Sequence, residues 1–129
     1  MTKLEEPLPG TTRSSVGGLT IDELSAGTGR VKRVIYPPGW VWRDQMQHVT
    51  GTEWCRHVHV GFIAQGTMMV EFDDGCVEEY KAPTALVTEA GHAGWVVGDE
   101  AVVLIQVDCG RDTEAVFGLS EYRHSHIES

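Results

Sequence analysis

From Trp54 to Asp108 the chain is a succession of short β-branched and aromatic runs broken by turn residues, a rhythm that points to an all-β fold and against a helical bundle or an open parallel sheet. The runs "VHVGFIAQG", "TMMVEFDDG", "CVEEYKA", "TALVTEAGH", "GWVVGD" and "AVVLIQVD" follow one another. They recur at spacings of roughly 8–12 residues, the cue for an all-β sandwich or barrel. Asp74-Gly75 marks a hairpin turn between two of them. Upstream, Leu19 to Tyr36 reads as two strands around the Gly27–Gly29 turn, with "VKRVIY" the clearer, and Pro37-Pro38-Gly39 is a stop. "WVWRDQMQHV" alternates only in part and is expected as an extended segment across one barrel mouth. Residues 1–18, rich in Pro, Gly, Ser and Thr, are expected as a flexible arm before a single domain over 19–129. The tail from Arg111 is polar with isolated apolar residues and is expected as a short coil or strand. No amphipathic helix of three turns is visible.

Length and charge narrow the function. The chain has 129 residues, enough for one hydrophobic core. A net charge of −9 with scattered basic residues argues against nucleic acid and anionic membrane surfaces as partners. No apolar run approaches the ~20 residues of a membrane span. The polar, acidic start lacks a secretory h-region. Cys55, Cys76 and Cys109 form an odd set with no short-spaced pair, so a reducing cytoplasm is the expected setting.

The stretch from Pro38 to Asp108 resembles a cupin domain, and more narrowly a bacterial group of small single-domain cupins. The resemblance rests on five segments in order: Pro38-Gly39-Trp40-Val41-Trp42; Cys55 with His59 and Gly61; Gln65-Gly66; Asp73-Asp74-Gly75; and Gly91-His92 with Trp95 through Glu100. It implies a double-stranded β-helix (jelly-roll) barrel of two antiparallel sheets, and a homodimer made through exposed sheet edges, often with an N-terminal strand crossing to the partner. The ligand pattern departs from the family's. Counted back from Gly66, the family's Glu position holds His59 and its two-His positions hold Glu53 and Cys55. The second motif's His position is Gly94, and His92 comes early. Ala82-Pro83-Thr84 stands where the family's Pro-Gly-Asp turn is expected.

Within that frame, Cys55, His59 and His92 are the candidate metal ligands. One thiolate and two imidazoles suit a divalent transition metal (Zn, Fe, Mn, Ni or Cu) and leave a coordination position open. Regular strand alternation would put residues 53, 55, 57 and 59 on one face. Glu53 and His57 are then the candidates for moving protons. His57 facing inward would be a fourth ligand or proton carrier; facing outward, a surface histidine. Trp40 and Trp42 are candidates for walling a ligand pocket, whereas Trp54 and Trp95 read as core plugs. Asp73-Asp74 reads as a turn and not a metal site, Asp99-Glu100 as a solvated turn, and His124 and His126 as residues of a tail where disorder is common and metal binding is not expected. Two functions remain open. One is a metal-dependent enzyme of dioxygenase, isomerase or lyase type acting on a small organic molecule. The other is a non-catalytic, metal-free module that binds or senses one.

Overall fold

The computed structural model describes residues 2–124. Nine strands form two antiparallel sheets among these residues. β1 (Thr12–Val16), β2 (Leu19–Ala26), β3 (Gly29–Tyr36), β4 (His59–Gln65), β7 (Thr84–Thr88) and β9 (Val102–Asp108) make a six-stranded sheet in the order β1-β2-β3-β9-β4-β7. β5 (Thr67–Phe72), β6 (Val77–Lys81) and β8 (His92–Val97) make a three-stranded sheet in the order β6-β5-β8. Strand β9 lies between β3 and β4, so the sequence-distant ends of the domain are joined in one sheet. This is the expected all-β barrel.

Period-2 alternation builds the core. In β5, Met68, Val70 and Phe72 are buried while Thr67, Met69 and Glu71 are half-buried, so one face turns inward. Ile63, Val34 and Leu104 meet them from the larger sheet, and burying each such side chain contributes about 1.5–3 kcal/mol. Strand β9 is buried on both faces from Val102 to Leu104. Its outer side forms a second small cluster of Ile35, Ala101 and Val103. Two glycines have positional reasons. Gly66 sits at φ +84 where the chain passes from one sheet to the other. Gly61 lets β4 approach β9 so closely that a Cβ there would lie 2.0 Å from the Ile105 carbonyl oxygen.

Three expectations need adjustment. The segment after Pro38-Gly39 is not extended: Trp42–Gln45 (α1) and Gln47–Thr50 (α2) are one-turn helices. Their Trp42 and Met46 pack against the core, which partial strand alternation could not reveal. The stretch read as an arm contains β1, which pairs with β2 of its own chain in register Arg13↔Asp22. Arg13 Nε donates to Asp22 Oδ1 at 2.8 Å, and Arg33 holds both Asp22 and the Glu6 carbonyl, tying residues 5–16 to the sheet. The tail contains the short helix α3 (Thr113–Val116), while His126 lies outside the described residues. No helix among the described residues is long and apolar enough to cross a membrane.

Candidate metal centre

A cavity of about 530 Å³ lies between the sheets. Its walls are largely apolar, with Ile63, Met68, Val70 and Leu104 among them, and α1 closes one side through Trp42. Trp40 and Trp42 both line it, at 3% and 4% exposure, so they are wall and core at once. The Trp40 indole N–H is anchored on the Gly17 carbonyl at 2.8 Å. Trp54 is half-buried under the Arg43 guanidinium, 4.7 Å from its ring centroid. Trp95 is also half-buried and pairs with Val41 in a β-bridge.

Cys55, His59 and His92 line this cavity, and their ligand atoms all lie within 4.8 Å of one another. Cys55 and His92 are brought together by backbone. They form an isolated β-bridge in which the Cys55 amide donates to the His92 carbonyl at 2.7 Å. His59 enters as the first residue of β4, its ring 5.0 Å from that of His92. Each imidazole is held by its Nδ1. His92 Nδ1 donates to the Glu89 carbonyl at 2.6 Å, and His59 Nδ1 to Gln106 Oε1 at 2.7 Å. Both bonds fix the tautomer that leaves the Nε2 lone pair available as a ligand.

The electrostatics agree with that tautomer. Burial, reinforced by the neighbouring His92, pushes the His59 pKa down to about 3 despite the Gln106 bond. Burial pushes His92 down to about 4, opposed by the Glu89 carbonyl. Both rings are therefore neutral at physiological pH, as ligation requires. Burial raises the Cys55 thiol, opposed by hydrogen bonds from the His57 amide and the Trp42 indole. A bound cation would convert that thiol to thiolate, and the two N–H donors would hold the sulfur's charge. One thiolate and two neutral imidazoles fit a divalent transition metal with an open position.

The proposed proton movers separate. Residues 51–58 form no strand apart from the Cys55 bridge, so the alternation that would align 53, 55, 57 and 59 does not hold. Glu53 is exposed and does not line the cavity. His57 lines it, half-exposed, with Nε2 3.1 Å from Asp108 Oδ2. Burial would raise the Asp108 carboxyl, but the Gly110 amide, with His57 and Lys32 beside it, holds it well below the usual carboxylate range. Lys32 Nζ reaches the same oxygen at 3.2 Å. Sequence reading missed Asp108, Gln106 and Lys32. Gln106 and Asp108 do sit at alternate positions of β9, a pattern that could have flagged two polar groups facing inward.

No protein-family model and no curated protein matches the sequence. Solved structures do match. KdgF from Halomonas sp. superposes with TM-score 0.54 at 18% identity, covering 78% of this chain and 88% of that one. An RmlC-like cupin from Shewanella frigidimarina gives 0.53 at 17% identity, covering 79% and 86%. The polyketide cyclase RemF from Streptomyces resistomycificus gives 0.52 at 18% identity, covering 79% and 69%. The chain thus has the fold of a small cupin domain.

Proposed function

We propose that this cupin domain binds a divalent transition metal through Cys55, His59 and His92, and binds a small organic molecule beside it in the barrel cavity. The observation that carries the reading is the convergence of three donors, two of them imidazoles held through Nδ1, on an apolar cavity. The metal would supply Lewis acidity toward a ligand oxygen in its open position. Among the described residues the cavity lining includes Lys32 and Arg56 but no Asp or Glu, in a chain of net charge −9. Lys32 is paired with Asp108, so it is Arg56 that favours an organic acid or another oxyanion with an apolar body.

The same site favours proton transfer over the other chemistries open to the fold. His57, with Nε2–H donated to Asp108, keeps its Nδ1 lone pair as a base at the cavity wall. Isomerase or lyase chemistry needs such a base. The KdgF and RemF likenesses concern fold alone and leave this choice to the residues.

Elemental analysis of untagged, full-length protein is the direct test. The Cys55→Ala/His59→Ala variant should carry one transition-metal equivalent fewer than wild type. Equal metal content in the two folded proteins would refute the reading. A metal-free pocket that still bound organic acids would support the binding-module alternative.

We also infer a homodimer. The outer face of the six-stranded sheet exposes Leu24, Val31, Val107 and Phe62 on neighbouring strands, at 50%, 39%, 45% and 44% exposure. Val107→Glu should lower the mass measured by light scattering from dimer to monomer, and a monomeric wild type at micromolar concentration would refute the inference.

A further inference from the structure

A second group of donors lies outside the cavity, on the β5–β6 hairpin. The turn there places Asp74 beside Cys76, whose amide donates to Asp74 Oδ1 at 2.9 Å. The chain returns to this hairpin at its far end. Residues 120–123 are exposed, yet His124 is only 7% exposed and stacks flat on Phe72, with ring centroids 3.9 Å apart and planes at 8°. Its Nδ1 lies 2.8 Å from Glu89 Oε1, and its Nε2 faces Asp74 Oδ2 at 2.9 Å. Donor atoms of Asp74, Cys76 and His124 all lie within 4.8 Å of one another.

We propose that Asp74, Cys76 and His124 form a second metal site, selective for zinc-like cations, that clamps the C-terminal segment onto the β5–β6 hairpin. One sulfur, one imidazole nitrogen and one carboxylate oxygen are a zinc donor set that leaves a fourth position for water. A tetrahedral centre with bonds of about 2.0–2.3 Å has donors roughly 3.3–3.8 Å apart, so closure needs shifts on the order of an ångström. Glu89 on the distal nitrogen supplies the carboxylate–histidine–metal arrangement that orients an imidazole and strengthens it as a ligand. Asp73, Glu89 and Glu78 add negative potential around the group. None of the three donors lines the barrel cavity, so this site does not depend on the first. The two share a neighbour, however: the Glu89 carboxylate holds His124 while its carbonyl holds His92.

Cobalt and zinc titrations of the full-length Cys55→Ala/His59→Ala variant test the proposal. The variant should bind one Co²⁺ with a thiolate-to-cobalt charge-transfer band. Adding Cys76→Ser or His124→Ala should abolish both band and binding, whereas adding Cys109→Ser should leave them. Zinc should raise the melting temperature of the variant only while Cys76 and His124 are present. No cobalt binding, or binding that survives either substitution, would overturn the proposal and leave His124 as a side chain held between Asp74 and Glu89. Should the double variant not fold, the native chain must bind one equivalent more than its Cys76→Ser form. An equal count would overturn the proposal.

Discussion

Gln106→Leu should weaken metal binding at the first site by about 10–100-fold without unfolding the barrel. Gln106 is 3% exposed, and its Oε1 lies 2.7 Å from His59 Nδ1. That bond fixes the ring's rotation and keeps the proton on the nitrogen that faces away from the cluster. Leucine preserves the side-chain volume, so packing in β9 changes little. What is lost is the acceptor that orients the imidazole and raises its basicity, an effect usually worth about 10–100-fold in metal affinity, or roughly 1.4–2.7 kcal/mol. Gln106→Glu places a carboxylate at the same position and should bind as tightly as wild type or more so. Affinity is measured by competition with a chromophoric chelator, in a Cys76→Ser background so that one site is counted, with circular dichroism as the fold control. A folded Gln106→Leu protein whose affinity lies within twofold of its parent would refute the argument that Gln106 sets the His59 tautomer.

Two further outcomes concern stability. Asp22→Asn should cost about 3–5 kcal/mol, because it leaves the Arg33 guanidinium, 3% exposed, buried without its carboxylate. The hydrogen bond from Arg13, with that from Arg33, holds the Asp22 carboxyl below its usual range against the opposing effect of burial. Its folded pKa is thus below the unfolded value of about 3.9, so its stabilisation is present above that pH and lost as pH falls through the folded pKa. Urea melts below about pH 4 should show a shallower acid loss in Asp22→Asn than in wild type, and parallel losses would count against the pairing. Gly61→Ala places a methyl 2.0 Å from the Ile105 carbonyl oxygen and 2.7 Å from Gln106 Cα, both backbone atoms that cannot swing away. A cost of about 3 kcal/mol, seen as a melting temperature lowered by roughly 10 °C, is expected. An unchanged melting temperature would mean that β4 and β9 are not so close.

Local chemistry was enough to read the strands. Alternation in "TMMVEF" and the Asp74-Gly75 turn specify a hairpin whose inward set is Met68, Val70 and Phe72, because side chains alternate with period 2 wherever the strands pair. Cys55, His59 and His92 could be singled out as ligands of one metal by residue type and by their place in the fold. The way they meet could not be read, because Cys55 lies in a strand-free segment and reaches His92 through one bridge across 37 positions. The same irregular backbone removed Glu53 from the cavity, since strand periodicity carries no information where there is no strand. Helices of a single turn, such as Trp42–Gln45, leave too short a pattern to detect and are held by packing of Trp42 and Met46. The partners that decide the chemistry are remote in sequence: Gln106 for His59, Asp108 for His57, and Glu89 for His124. Turn and strand preferences are local energies written in neighbouring residues. Hydrogen bonds between side chains 35 to 51 positions apart exist only once the sheets have closed, and tertiary structure alone decides them.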